Sequence, residues 1–369
     1  MLKSWLAGTR VLDLGQYLPG PGAAQILADL GADVLKVEPP SGDPLRALDP
    51  VTGNPVSGVS PYYASINAGK RVLRLDLKSE EGKRAFARLA EVADVLIESF
   101  RPGALAKLGF GADRLRAANP RLIHVALSGY GQSGPLAVTA GHDLNYLAFA
   151  GLLAASGPHA APAITFPPIA DHASAMHAAL CALGGLLGRA RTGQGAFIDV
   201  SLAETVLAWQ GWGLTAARAG AAPAREGALL NGGAAYYRIY RTGDGKFVAL
   251  GAIEKAFWRN FCEAVARRDW TDRHADPLPQ TALIAEVADV FAGAPRAEWD
   301  RRLKNVDCCY QPVLDYGEVP AHPHVAARGL VRGAEAAFAA IVDGEPPSMR
   351  APHRDVTIEE AVAAWVETV

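Results

Sequence analysis

Apolar positions in the first two hundred residues switch repeatedly between two periods. Val11-Leu-Asp-Leu14, Val34-Leu-Lys-Val37, Asp94-Val-Leu-Ile-Glu98 and Leu122-Ile-His-Val-Ala-Leu127 are short apolar runs, the texture of strands buried on both faces. Arg71 to Leu77 alternates like a strand. Between these runs the spacing becomes helical. Ala24, Ile26, Leu27 and Leu30 predict a helix that Gly31 stops, and Ser79 to Val92 predicts an amphipathic helix with Ser79-Glu-Glu-Gly as its capped start. Gly15 to Gly22 is rich in Gly and Pro and predicts a loop. Strands alternating with helices make a doubly wound α/β domain with a parallel sheet. Residues 172–190 predict a mostly buried Ala/Leu helix, followed by a strand over 196–200.

The texture then changes. Residues 216–227, a run of Ala, Gly, Pro and Arg, predict a linker. Tyr236 to Arg241 and Lys246 to Leu250, joined by Thr-Gly-Asp-Gly, predict a β-hairpin, and helical segments continue to about residue 305. The expected organisation is a large α/β domain over 1–215 and 321–369, with a smaller α+β domain over 228–320.

Composition narrows the function classes. The 369 residues are half apolar and one fifth charged, which suits a packed globular protein and not a disordered chain. Lys and Arg total 36 against 38 Asp and Glu, a net charge of -2, so no field attracts nucleic acid. A polyanionic ligand needs placed cations instead. Four cysteines make no disulfide scaffold and point to a reducing compartment. The first ten residues lack the apolar core of a signal peptide, and no run reaches a membrane span's length. A cytoplasmic protein without membrane contact is expected.

Several motifs fall short. Gly20-Pro-Gly22 supplies two glycines of a dinucleotide loop, but Gln25 stands at the third position. Gly131-Gln-Ser-Gly134 is followed by Pro135 and is no nucleophile elbow. Cys308 and Cys309 are adjacent and cannot grip one ion in the C-x2-C manner, even with His322 and His324 nearby, so no metal site is expected. The cations from Lys70 to Lys107 are compatible with phosphate recognition. A solvated helical face accounts for Lys83, Arg84 and Arg88; for Lys78, Arg101 and Lys107 both readings stand. Gly141-His-Asp-Leu-Asn-Tyr146 is the densest polar cluster. His142 and Asp143 open an apolar segment, Asp171 heads the long helix, and Glu254 ends a strand of the small domain. Each has a plain reading as a cap. Together they are an acid/base set.

With Leu18-Pro-Gly-Pro-Gly22, Leu30-Gly-Ala-Asp-Val-Leu-Lys-Val-Glu38, Asn67-Ala-Gly-Lys70, Leu75-Asp-Leu-Lys78, Ser99-Phe-Arg-Pro-Gly103, Gly129-Tyr-Gly-Gln-Ser-Gly-Pro135, Thr192-Gly-Gln-Gly195 and Tyr240-Arg-Thr-Gly-Asp-Gly245 in order, the chain resembles the family III CoA-transferases over nearly its whole length. That group includes formyl-CoA transferase, carnitine CoA-transferase and the α-methylacyl-CoA racemases. The resemblance implies an interlocked homodimer with a Rossmann-like large domain. It implies an acyl-CoA thioester as substrate and no permanently bound cofactor. Transferases use the aspartate matching Asp171 as a nucleophile that forms an acyl anhydride. Racemases pair it with the histidine of G-H-D-x-N-Y as two bases. Here His142 stands where transferases usually carry an aromatic residue, and Glu254 matches the glutamate that supports the histidine. Epimerisation of a 2-methylacyl-CoA is therefore expected, with His142, Asp171, Glu254 and Asp143 catalytic. CoA transfer through Asp171 is the alternative, and a non-catalytic CoA-binding protein is a third reading. The CoA positions carried over are Leu75, Asp76, Leu77, Lys78, Ser99, Phe100, Arg101, Lys107, Gly141, Leu144, Asn145 and Tyr146. Two departures stand out. Pro39 replaces an Arg often found near the adenine or phosphates, leaving Lys36 or Arg46 to substitute. His172 adds bulk beside Asp171.

Overall fold

A computed structural model describes residues 2–333 and 335–366. The chain forms two compact units. The first comprises residues up to 150, 166–209 and from 323 onward; the second comprises 151–165 and 210–322.

The first unit is built on seven strands: β1 (Arg10–Leu14), β2 (Asp33–Glu38), β3 (Arg71–Arg74), β4 (Val95–Glu98), β5 (Ile123–Ser128), β6 (Ala196–Ser201) and a late strand, Arg354–Val356. Their order is the late strand, β3, β2, β1, β4, β5, β6, and every neighbouring pair is parallel. The strands are apolar because helices cover the sheet. The first eight helices are α1 (Pro19–Asp29), α2 (Pro61–Ile66), α3 (Glu80–Val92), α4 (Ala104–Lys107), α5 (Ala112–Ala118), α6 (Asp143–Phe149), α7 (Ile169–Thr192) and α8 (Leu202–Leu207). Leu12, Leu35 and Leu96 of the sheet pack with Phe86 and Leu89 of α3 and Trp365 of the last helix, Ile358–Val366.

Strand order reverses between β1 and β4. In open parallel sheets ligands bind outside the carboxyl ends of the strands at such a switch. Here those ends release the turn Gly15–Tyr17 and the loop Ser99–Arg101, which are tied together by Gln16 N–H donating to Ser99 Oγ at 3.1 Å. A Cβ on Gly15 would sit 2.7 Å from Gly20 Cα, so only glycine permits this tight entry into α1.

Local expectations hold with three instructive exceptions. The predicted Gly/Pro loop already turns helical at Pro19, because a proline at the first helical position has no amide to waste. The strand at Arg71 ends at Arg74, not Leu77. The long helix α7 is buried on one face only: Ala173, Ala178 and Ala182 are covered, whereas Met176, Leu180 and Leu187 are 66%, 63% and 69% exposed. By contrast, Ser79 Oγ accepts Gly82 N–H at 2.9 Å, the cap expected of α3.

The second unit carries an antiparallel sheet of β7 (Tyr237–Arg241), β8 (Phe247–Gly251) and β9 (Tyr310–Pro312), in that order. Trp258, Phe261, Trp270, Phe291 and Trp299 fill its core. The segment 216–227, expected as a linker, belongs within this unit. Its first three residues finish the helix Gly211–Arg218, and the Arg225 guanidinium donates to the carbonyls of Ala154, Pro158 and His159. Alanine lets the helix run on, and the arginine fastens the chain beyond it. No described helix is long and apolar enough to cross a membrane.

Candidate active site

A cavity of about 430 Å³ opens at the switch point. Its wall includes Gln16 and Tyr17 from the β1 turn, Ser99 to Pro102 from the β4 loop, Ser128 and Gly129 at the end of β5, and Gly141, His142, Tyr146 and Asp171. The parallel sheet therefore brings together residues spread over 150 positions.

Helix α6 is set by its own motif. The Asn145 side chain reaches back to accept His142 N–H at 3.0 Å, which fixes the helix entry. Tyr146 Oη donates to Gly141 O at 2.6 Å, and a Cβ on Gly129 would lie 2.6 Å from that same hydroxyl oxygen. The two glycines thus let the ring lie flat against the backbone beside the cavity.

Asp143 has a role that differs from the one expected of Asp171. Asp171 is not the N-cap of α7; the helix begins at Ile169, and Asp171 is third in it. Asp143 reaches across from α6 instead. Its Oδ1 accepts the amides of Ala170 at 2.6 Å and Asp171 at 3.2 Å. These are unsatisfied first-turn donors, so a carboxylate from another helix caps α7. The Asp171 carboxylate receives none of those amides. Burial first, and the neighbouring Asp143 charge second, push its pKa up to about 7. Burial likewise raises Asp143. His172 is exposed and off the cavity wall, yet close enough to Asp143 to interact with its charge. A one-residue step on a helix rotates a side chain about 100° away.

A second cavity of about 180 Å³ shares Gln16 and Phe100 with the first. Leu75, Asp76, Leu77, Lys78 and Pro39 are on its wall. Of the residues carried over for CoA, Ser99, Phe100, Arg101, Gly141 and Tyr146 line the first cavity, and Leu75 to Lys78 line the second with Phe100. Lys107, Leu144 and Asn145 are on neither wall. Lys107 is exposed at the end of α4, and Asn145 is engaged as the cap of α6.

Two cations expected to replace the missing Arg at Pro39 are committed elsewhere. Lys36 Nζ donates to Gly15 O at 2.7 Å and pairs with Asp43 at 3.1 Å, fully buried. Arg46 Nε donates to Glu38 Oε2 at 2.6 Å. Lys70, another member of the cation-rich stretch, is also structural. Its ammonium reaches Asp13 Oδ2 at 2.9 Å, Pro21 O at 2.8 Å and Asn67 Oδ1 at 2.9 Å. Burial lowers its pKa to about 8.

Sequence reading missed this buried charge network, and it missed Glu98. Glu98 Oε2 accepts Phe100 N–H at 2.7 Å, holding the loop between the cavities, while burial raises its pKa to about 7. The signal that could have found them was charge in apolar strands: Asp13 and Lys36 interrupt apolar runs, and Glu98 ends one. Glu254 lies in the second unit, just before the helix Lys255–Ala264. Among the described residues no cluster of three or more His, Cys, Asp or Glu is arranged to hold a metal.

The chain is similar to known proteins in sequence and in fold. The chain is 37% identical to α-methylacyl-CoA racemase of Homo sapiens over 338 residues, 88% of this chain and 81% of that protein. It is 32% identical to acetyl-CoA:oxalate CoA-transferase of Acetobacter aceti, over 88% of this chain and 84% of the relative. The crystal structure of a CAIB/BAIF family protein from Brucella suis superposes with a TM-score of 0.83 at 26% identity, covering 99% of both chains. The family model for CoA-transferase family III matches residues 6–353. A switch-point cavity walled by the G-H-D-L-N-Y segment and an aspartate, on a chain that the family model spans almost entirely, leads to one conclusion: this protein belongs to CoA-transferase family III, whose members include both racemases and CoA-transferases.

Proposed function

We propose that the protein epimerises the α-carbon of a 2-methylacyl-CoA thioester by two-base proton transfer. The observation that carries this reading is the pairing of His142 and Asp171 on one cavity wall, with Asp171 raised to about 7. An α-proton of a thioester is weakly acidic, so a base works best with a pKa near the operating pH. A carboxylate poised at neutrality serves both directions: ionised it takes the proton, protonated it returns one. His142 is the second base. Removal of the proton leaves an enolate, and delivery from the other base inverts the centre. Asp143 orients the start of α7 and keeps Asp171 hard to ionise. Glu254 is carried into this scheme as a further acid/base residue, on the family pattern alone. Lys78 and Arg101 supply placed charge for the CoA phosphates, with Leu75, Asp76, Leu77, Ser99 and Phe100 around them.

The reading is tested by incubating 2-methylacyl-CoA thioesters in D2O. Deuterium at the α-carbon and loss of optical activity are expected, and Asp171→Asn and His142→Gln should abolish inversion. Absence of α-exchange with every thioester that binds overturns it.

The transferase reading keeps one specific support: the Asp171 carboxylate is not held by the α7 amides and is open to attack a thioester. There the Asp171 oxygen would bond to the acyl carbon, the C–S bond would break, and CoA thiolate would leave. Hydroxylamine added with acyl-CoA converts that anhydride to an Asp171 hydroxamate, visible by mass spectrometry. The racemase yields none.

A homodimer belongs to the same proposal. Met176, Leu180 and Leu187 fall on one face of α7 and leave an apolar stripe exposed in the single chain. A second copy is the occupant proposed for it.

A further inference from the structure

Tyr17 adopts φ 59°, a left-handed conformation that bulky residues rarely take. Glycine or asparagine would occupy such a position without strain. The turn is held there from every side. Gly15 N–H donates to Asp13 Oδ1 at 2.9 Å, and Gly15 O accepts Lys36 Nζ at 2.7 Å. Gln16 N–H donates to Ser99 Oγ, and Tyr17 N–H donates to Asp43 Oδ1 at 3.2 Å. Asp13, Lys36 and Asp43 are themselves buried and paired. A buried ionic network thus imposes the conformation, and its result is a tyrosine on the wall of the cavity that holds His142 and Asp171. Its side chain is 46% exposed, an aromatic surface awaiting a partner.

We infer that Tyr17 is a specificity-determining residue: its ring forms a platform for a flat acyl substituent, so that aryl-bearing acyl-CoAs are favoured over short aliphatic ones. The inference rests on the acyl-CoA reading of the cavity and deepens it. Pro19, Phe100, Leu127, Ala137 and Leu202 are among the other apolar residues of the wall. An aromatic ring on an aromatic ring gains from edge-to-face or offset packing, which a methyl group cannot match.

The test uses unreactive thioethers, S-ethyl-CoA and S-(2-phenylpropyl)-CoA, titrated calorimetrically into the full-length wild type and three variants. Tyr17→Ala and Tyr17→Gly should each lower the aryl-to-ethyl affinity ratio about tenfold, the size of a favourable aromatic contact. Tyr17→Phe should keep the wild-type ratio. Tyr17→Gly should also melt above Tyr17→Ala, since glycine alone relieves the left-handed backbone. An unchanged ratio in both truncations overturns the inference while leaving CoA binding intact. Failure of either thioether to bind wild type overturns the acyl-CoA reading and the inference together.

Discussion

At the scale of single residues, the carboxylate of Asp171 sets the most measurable property. Its pKa is raised to about 7 in the folded protein against 3.8 for an unperturbed aspartate. The folded state therefore binds more protons than the unfolded one between those values, and stability falls as pH rises from about 4 to about 7. Asp171→Asn removes the titration. Its melting temperature relative to wild type should grow across that window and level off above it, with a gain of about 2 kcal/mol at pH 8 once partial exposure is allowed for. Thermal melts of both proteins from pH 5 to 8 check this; a constant difference excludes it. His142 and Asp143 are visible without coordinates as polar residues opening an apolar run, and Asp171 as an acid at the head of a predicted helix; only the fold puts His142 and Asp171 on one cavity wall. Lys70 shows the opposite limit. It stood among cations as a phosphate candidate, and its partner Asp13 is 57 residues away. Charge order along a chain cannot tell a paired ammonium from a free one, and only the parallel register of β1 beside β2 and β2 beside β3 brings this pair together.

At the scale of elements, α6 and α7 act as one device. The α6 carboxylate of Asp143 closes the first turn of α7 at the amides of Ala170 and of Asp171, the residue proposed to move protons. The two contributions of Asp143 separate by substitution. Asp143→Asn keeps an acceptor oxygen and removes the charge. Its stability should stay near wild type, while the acidic limb of the pH–rate profile moves to lower pH as Asp171 ionises more easily. Asp143→Ala also loses the cap, at a cost of about 1 kcal/mol. Equal pH–rate profiles in wild type and Asp143→Asn would show that the charge does not reach Asp171. Most elements were legible, because apolar runs of strand length and a Ser79 cap leave little choice. The start of one helix and the buried face of another were not. Helix α1 begins inside the Gly/Pro stretch, where proline and glycine read as breakers although Pro19 is at a position that tolerates it. Between residues 178 and 188 helix α7 has no charged or hydrogen-bonding side chain on any face beyond the Cys181 thiol, so periodicity cannot distinguish burial in its own unit from a face left for another chain.

For the whole molecule, that exposed α7 face predicts an assembly. Leu180→Asp and Leu187→Asp place charges on the stripe. Light scattering should find wild type as a dimer and the double variant as a monomer with unchanged far-ultraviolet circular dichroism; a variant that remains dimeric moves the interface elsewhere. The α/β class was legible from alternating periods. Which distant segments share a sheet was not, since strand order depends on pairings that local sequence does not encode.

The strand Arg354–Val356 and the helix after it give this architecture a temporal consequence. They complete the edge at β3 and pack on α3, with Trp365 Nε1 donating to Asp33 Oδ2 across 332 residues of chain. A ribosome adding about 5–20 residues per second delivers them tens of seconds after β2 emerges. Until then the nascent sheet carries an open β3 edge and an uncovered patch of α3. Such edges invite pairing with other chains. The stretch of synthesis between β3 and the last strand is thus the period when a chaperone has most to protect.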